Sequence, residues 1–219
     1  MKSGNIVLIG PTNSGKSSLV NKIMGQRVSL VSRKKQSTTF NQKVYKKFSE
    51  NEFIIQDTPG FFSSRKKINN NIISSPLAEI ETSDLIYVVV DISLRINNEY
   101  KKIINSLENK IEKQHVFLIL NKIDKVKKDR VLSAIKFYSI EKIFNEIFPI
   151  SSLTGEGVAN LIKFSKKFTI KTSIKSKPSS NIQIKKKLFY SEVTREKILD
   201  KIHREIPYQC DVVTKKNDR

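Results

Sequence analysis

Residues 10–17 read Gly-Pro-Thr-Asn-Ser-Gly-Lys-Ser, a pattern that could bind a polyphosphate. Two glycines five residues apart let backbone amides approach phosphate oxygens, and the Lys-Ser pair supplies an ammonium group and a Mg²⁺ ligand. An apolar run at 5–9 precedes the loop and a helical pattern follows it, so the phosphates would meet a helix N-terminus. The residues predicted to bind phosphate are Gly10, Asn13, Ser14, Gly15, Lys16, Ser17 and Ser18.

Further groups that could complete a Mg²⁺ site follow along the chain. Asp57 comes after an apolar run at 53–56, where a carboxylate can support the metal shell, and Gly60 can donate its amide to a γ-phosphate. In the polar stretch at 36–39, Thr38 or Thr39 could ligate Mg²⁺ only while a γ-phosphate is bound. Whether this stretch is ordered would then depend on whether the bound nucleotide carries a γ-phosphate.

The tetrapeptide at 121–124, Asn-Lys-Ile-Asp, could select the base. The Asp124 carboxylate can accept two hydrogen bonds from guanine, which carries a ring NH beside an exocyclic amine, whereas the edge of adenine does not match. The Lys122 stem can lie over the base, and Asn121 can tie this segment to the phosphate loop. Backbone amides of Ser151, Ser152 and Leu153 could hold the guanine carbonyl oxygen, although a helix-capping loop would look the same.

Strands and helices alternate around these motifs. Apolar runs predict strands at 5–9, 43–48, 53–56, 85–90, 116–120 and 147–150, and helical spacing predicts helices near 16–24, 68–82, 98–113, 128–146 and 156–168. This alternation indicates a three-layer α/β domain with a mostly parallel sheet. Because right-handed crossovers place the loops after parallel strands at one edge, the motifs should meet there.

Composition limits the other classes of function. The 219 residues carry a formal net charge of +20, and a single cysteine, Cys210, excludes an intrachain disulfide and favours a reducing compartment. The apolar runs are too short to span a bilayer. Residues 163–219 hold 16 Lys/Arg and 6 Asp/Glu, and this excess favours an anionic partner such as RNA or an acidic membrane face. A compositional bias toward Lys, Ile and Asn is the alternative explanation of the charge.

The motifs together resemble those of the bacterial Era family of GTPases. The resemblance covers the phosphate loop with Asn13 at its fourth position, residues 36–38, 57–60 and 121–124, and a helical stretch at 190–199 followed by Glu-Ile-Pro-Tyr. It implies a P-loop GTPase fold, hydrolysis of GTP to GDP and phosphate with Mg²⁺, and binding of small-subunit ribosomal RNA and the 30S precursor. It also implies a monomer in the cytoplasm with peripheral contact at the inner face of the membrane.

The family spacing selects between the two threonines. Thr38 lies 19 residues before Asp57, because 57 − 38 = 19, and aligns with the Mg²⁺-binding threonine of the family. The predicted catalytic residues are therefore Lys16, Thr38 and Gly60, and the predicted metal ligands are Ser17, Thr38 and Asp57. By the same resemblance, Asn13 is a candidate K⁺ ligand.

Departures from the family pattern shape the remaining expectations. Phe61 stands where some GTPases carry a water-orienting glutamine, which predicts slow hydrolysis. The last glycine is Gly157, so the Gly-x-x-Gly loop with which a KH domain grips RNA is missing. We expect a GTPase domain at 1–168, a basic linker at 169–187 and a truncated KH domain at 188–219 with one helix and one strand. The alternative function is a nucleotide-binding remnant or a basic interaction module without specific RNA binding.

Overall fold

The computed structural model describes residues 2–29, 42–58, 76–94, 98–108, 110–111 and 113–170, together with the single positions 194, 198 and 212. Within these ranges the strands are β1 Lys2–Ile9, β2 Gln42–Phe48, β3 Asn51–Asp57, β4 Leu85–Asp91, β5 His115–Asn121 and β6 Glu146–Pro149. The helices are α1 Lys16–Met24, α2 Pro76–Glu81, α3 Asn98–Glu108, α4 Lys128–Tyr138 and α5 Val158–Ser165. Each of the six predicted strands is present.

The strands form one sheet in the order β2-β3-β1-β4-β5-β6. Only β2 is antiparallel to its neighbour among these strands, and the other four pairings are parallel. The strand order switches direction at β1. The strands β2 and β3, which follow β1 in the chain, lie on one side of it, and β4, β5 and β6 lie on the other. Such a switch point leaves a crevice at the carboxyl ends of the strands. The predicted three-layer α/β fold is confirmed.

Two apolar layers sandwich the sheet, because the central strands are buried on both faces. One layer packs α1 and α5 against the sheet, and it contains Leu19, Ile23, Phe117 and Leu161. The other packs α2, α3 and α4 against the opposite face. Each fully buried apolar side chain contributes about 1.5–3 kcal/mol. The central strands that end at the crevice are therefore held by apolar packing on both faces.

Some boundaries differ from the sequence prediction. The helix expected at 128–146 ends at Tyr138, and Asn145 instead pairs with β5 through its backbone amide and its side chain, both bonded to the Val116 backbone. The helix expected at 98–113 ends at Glu108, and that expected at 68–82 is described only from Pro76.

At the far end of the described part, two residues of the expected linker contact the sheet. Thr169 accepts a hydrogen bond from the Asn51 side chain, and Ile170 exchanges two backbone hydrogen bonds with Ser3. The helix and strand expected within 188–219 lie outside the described residues. None of the described helices is both long and apolar enough to cross a bilayer.

Candidate functional site

The loop between β1 and α1 is folded tightly against its neighbours. A Cβ atom at Gly10 would lie 2.2 Å from the carbonyl oxygen of Val89, and one at Gly15 would lie 2.1 Å from Nδ2 of Asn121. Gly15 also has a φ of +99°, which L side chains rarely adopt. Only glycine fits at these two positions, so the spacing of the motif follows from contact with β4 and β5.

Lys16 is the first residue of α1, and its ammonium group lies inside the loop. Nζ donates to the carbonyl oxygens of Gly10 at 3.0 Å and of Pro11 at 2.9 Å, and the side chain is buried. Loss of hydration lowers the pKa of Lys16 to about 8, although the negative charges of Asp57 and Glu99 oppose the shift. A polyphosphate in this loop would restore a favourable environment for the ammonium group.

Asp57, at the end of β3, is fully buried. Burial raises the pKa of Asp57, while the hydroxyls of Ser17 and Ser29 and the charge of Lys16 favour its ionised form. Neither carboxylate oxygen has a partner in hydrogen-bond geometry among the described residues, and the same holds for the buried hydroxyl of Ser14. Buried polar atoms are normally paired, so these atoms fit a ligand. An oxygen ligand set beside a phosphate loop suits Mg²⁺.

Asn121, at the end of β5, connects the phosphate loop to the loop after β6. Its Nδ2 donates to the carbonyl oxygen of Ser14 at 2.8 Å. Its Oδ1 accepts from the amide of Ser152 at 3.0 Å and from the hydroxyl of Ser152 at 2.9 Å. The structure therefore gives Asn121 the tying contact that its sequence position predicts.

Lys122 and Asp124 follow Asn121 at the same edge, and both have partners. Nζ of Lys122 donates to the carbonyl oxygen of Asn13 at 2.8 Å, and it forms an ion pair with Asp91 at 2.6 Å. Oδ1 of Asp124 accepts from the hydroxyl of Ser151 at 2.6 Å. These bonds fix the Lys122 stem and the Asp124 carboxylate, the two groups that would face a bound base.

The structure thus brings the predicted residues together as two groups. We call residues 10–18 with Asp57 the phosphate half, and residues 121–124 with 151–153 the base half. Within them Asn13 and Asp124 are exposed, Ser18 is half-buried, and the Leu153 side chain is 76% exposed and so could contribute only its backbone. Thr38, Gly60 and Phe61 lie outside the described residues, so their roles stay predictions.

Two contacts at this edge involve residues that the motifs do not include. Asp91 holds Lys122, and Nζ of Lys22 on α1 donates to the carbonyl oxygen of Leu153 at 3.2 Å. Gly155 makes room for the Lys22 stem, because a Cβ atom there would lie 2.4 Å from Cε of Lys22. Asp91 could have been found in the sequence, because it follows an apolar strand run just as Asp57 and Asn121 do. No local pattern marks Lys22.

The mostly parallel sheet, its switch point, the glycine loop between β1 and α1 and the base half together define the class of P-loop GTPases. A family profile described as "50S ribosome-binding GTPase" matches residues 5–122. That range begins in β1 and ends within the base half.

Comparison with curated proteins identifies the family within this class. The chain is 31% identical over 216 residues to GTPase Era of Agrobacterium fabrum, with 98% of this chain and 67% of the relative covered. It is 34% identical over 208 residues to GTPase Era of Clostridium beijerinckii, with 94% and 69% covered. The chain belongs to the Era family of GTPases.

Two solved structures of Era superpose on this fold. One is a variant of Aquifex aeolicus Era bound to GDP and AlF4⁻, and the other is Era with MgGDPNP and nucleotides 1506–1542 of 16S ribosomal RNA. Each has a TM-score of 0.82 and 27% sequence identity, with 94% of this chain and 70% of the other covered. The resemblance inferred from the motifs is confirmed.

Proposed function

We propose that this chain hydrolyses GTP to GDP and phosphate at the crevice formed by the phosphate half and the base half. The observation that carries the proposal is a group of buried polar atoms, Ser14 Oγ and both Asp57 oxygens, that have no partner in hydrogen-bond geometry within the described part of the chain and lie beside the buried Lys16 ammonium. A bound triphosphate with its cation would satisfy these atoms at once. The paired Asp124 carboxylate would then select guanine.

Each group has a distinct role in the proposed reaction. Lys16 and the backbone amides of the loop stabilise negative charge on the γ-phosphoryl group, and the α1 N-terminus adds its dipole. Ser17 and Asp57 would hold Mg²⁺, which when bound neutralises phosphate charge. We assign Thr38 to the same metal and the Gly60 amide to the γ-phosphate, both from the sequence. Because Phe61 offers no water-orienting group, the intrinsic rate is slow.

Nucleotide titration with a turnover assay tests this proposal. The full chain should bind the fluorescent analogue mant-GDP with Mg²⁺, and unlabelled GTP but not ATP should displace it. Phosphate release should depend on Mg²⁺ and should be slow, well below one turnover per second by comparison with typical enzymes at about 10 s⁻¹. Equal displacement by ATP would overturn the assignment of the base half.

We further propose that the nucleotide state controls binding to small-subunit ribosomal RNA and its 30S precursor. An Era structure contains a 16S ribosomal RNA segment, and the net charge of +20 favours such a polyanion. Filter binding of nucleotides 1506–1542 of 16S ribosomal RNA, with and without residues 169–219, tests this role. Sequence-independent, salt-sensitive binding alone would favour the alternative of a basic interaction module.

Four finer features belong to the same proposal. We infer that the chain acts as a monomer in the cytoplasm, that its basic charge allows peripheral contact with the inner membrane face, and that K⁺ near Asn13 supports hydrolysis. Equal phosphate release in KCl and NaCl would contradict the role of K⁺. Sedimentation with anionic vesicles tests the membrane contact, and light scattering tests the monomer.

A further inference from the structure

Asp91, the last residue of β4, lies outside every nucleotide-binding motif of this chain, yet it touches the base half. Its Oδ2 forms the ion pair with Nζ of Lys122, and its side chain is 8% exposed against 24% for Lys122. A pair so shielded from water is screened much less than a surface pair. The ion pair therefore restrains both side chains in a single arrangement.

The Asp91 carboxylate is itself fixed from the other side. Oδ1 accepts from the backbone amide of Ser93 at 2.9 Å and from the hydroxyl of Ser93 at 2.5 Å. Asp91 also lies in register with Asn121 across the parallel β4–β5 pairing, and the amide of Ile92 donates to the carbonyl oxygen of Asn121 at 3.2 Å. The β4–β5 pairing and Ser93 therefore fix the position of the Asp91 carboxylate, and the Lys122 side chain adopts the conformation that reaches it.

The ion pair with Asp91 is one of two contacts that hold the Lys122 ammonium group. Without these contacts its long side chain would sample many rotamers. The ammonium group instead bridges Asp91 and the carbonyl oxygen of Asn13 in the phosphate loop. This bridge spans the gap across which a nucleotide would lie.

We propose that Asp91 is a positioning residue for guanine nucleotide binding, holding the Lys122 stem in the place where the base stacks. The inference rests on the proposed role of Lys122 at the base. Ordering one long side chain on binding costs free energy, and a preordered side chain avoids that cost. Asp91 thus lengthens the residence of the nucleotide without touching it.

The test is the rate at which mant-GDP leaves the full-length chain after addition of excess GDP. Asp91→Asn should accelerate release by about three- to tenfold, since the charge that fixes the ammonium is lost while the shape is kept. Ser93→Ala, at an exposed position, should accelerate it by about twofold by loosening the carboxylate. The kcat of phosphate release at saturating GTP should stay within twofold, while the KM rises.

A double-mutant cycle separates positioning from a general loss of stability. In a Lys122→Met background, which keeps the stem and removes the ammonium, Asp91→Asn should have no further effect on release. Glu81→Gln is the matched control, because it removes the charge of an exposed carboxylate paired with Lys110 at 2.9 Å, remote from the crevice. That variant should release mant-GDP at the wild-type rate.

The outcomes distinguish this inference from the proposed function. If Lys122→Met leaves mant-GDP binding unchanged, the assignment of the base half fails. If Lys122→Met weakens binding but Asp91→Asn and Ser93→Ala leave release unchanged, the inference alone is wrong. An equal acceleration by Asp91→Asn in both backgrounds, or an equal effect of Glu81→Gln, would also overturn it.

Discussion

The phosphate half and the base half meet at Asn121, but they are built in opposite ways. In the phosphate half the charged groups are buried, and Asp57 has no partner in hydrogen-bond geometry among the described residues. In the base half Asn121, Lys122 and Asp124 each have hydrogen-bond partners at 2.6–3.0 Å. One half holds a buried carboxylate that lacks a partner in hydrogen-bond geometry among the described residues, whereas these side chains of the other half are already hydrogen-bonded.

This difference assigns separate tasks to the two halves. Unsatisfied buried charge destabilises the nucleotide-free protein, so a ligand that satisfies it gains binding energy. Preformed hydrogen bonds gain nothing new on binding, but they fix geometry and so decide which base fits. We therefore expect changes in the phosphate half to alter affinity and hydrolysis together, and changes in the base half to alter selectivity.

The largest effect should come from removing the phosphate-half cation. Lys16→Ala should lower the kcat/KM of GTP hydrolysis by at least about a hundredfold, because it deletes the buried ammonium that faces the developing charge. Phosphate release under steady-state conditions measures this. Lys101→Ala, at an exposed position of α3, is the control and should behave as wild type. Hydrolysis that survives Lys16→Ala would overturn the assigned site.

A substitution in the base half should change which base the protein prefers. Asp124→Asn should weaken GDP binding by about a hundredfold, since two charge-assisted hydrogen bonds are lost. Xanthosine diphosphate should bind the variant better than GDP, because its base presents an oxygen where guanine has an amine, and an amide can donate to it. Competition against mant-GDP measures both. Asp129→Asn on α4 is the control, and equal weakening for both bases would contradict a selective role.

Neutralising the buried Asp57 carboxylate should raise the thermal stability of the nucleotide-free chain. Asp57→Asn should raise the Tm of the nucleotide-free chain by about 2–6 °C, because burial disfavours the charged carboxylate more than the Ser17 and Ser29 hydroxyls and the Lys16 charge favour it. The same variant should lose the extra stabilisation that Mg²⁺ gives with GTP. Differential scanning fluorimetry measures both quantities.

A second carboxylate of the fold provides the matched control. Asp84 lies at the opposite end of β4, and its Oδ2 accepts from the amide of Asn5 at 2.7 Å. Asp84→Asn should therefore not raise the Tm. If Asp57→Asn lowers the Tm as much as Asp84→Asn does, the contrast between unpaired and paired carboxylates is wrong.

The smallest effect concerns pH. With a pKa of about 8, Lys16 is protonated below that pH in the free protein, and bound phosphates raise this pKa. Affinity for GDP should therefore be nearly constant below about pH 7 and fall by about tenfold between pH 7 and pH 9, as binding comes to require proton uptake. Isothermal titration at several pH values measures the slope. Lys16→Arg, which does not titrate in this range, should remove it.

The sequence predicted the fold well because the central strands are continuous apolar runs. Burial on both faces leaves that pattern in each central strand, and the loops that follow them then lie at one edge. The end of α4 was not predictable in this way. Residues Ile143 and Phe144 keep apolar spacing and pack against the core without being helical, and the Asn145 contact with Val116 joins distant parts of the chain.

The candidate site was predictable to the extent that local motifs carry it. The glycine loop and the tetrapeptide at 121–124 are short patterns with a mechanical reason at each position. The contacts of Asp91 with Lys122 and of Lys22 with Leu153 join segments 31 and 131 residues apart, so no local pattern contains them. The roles assigned to the individual site residues stay predictions until the variants above are measured.

The close approach of Gly15 to Asn121 has a consequence for the exit of a nucleotide. With room for only a hydrogen atom between the two loops, neither can move toward the other, and Nδ2 of Asn121 holds the Ser14 carbonyl so that they do not separate freely. We therefore expect a nucleotide that contacts both loops to leave slowly while this contact is intact. The contact between Gly15 and Asn121 would then prolong the bound state together with the ordered Lys122 stem.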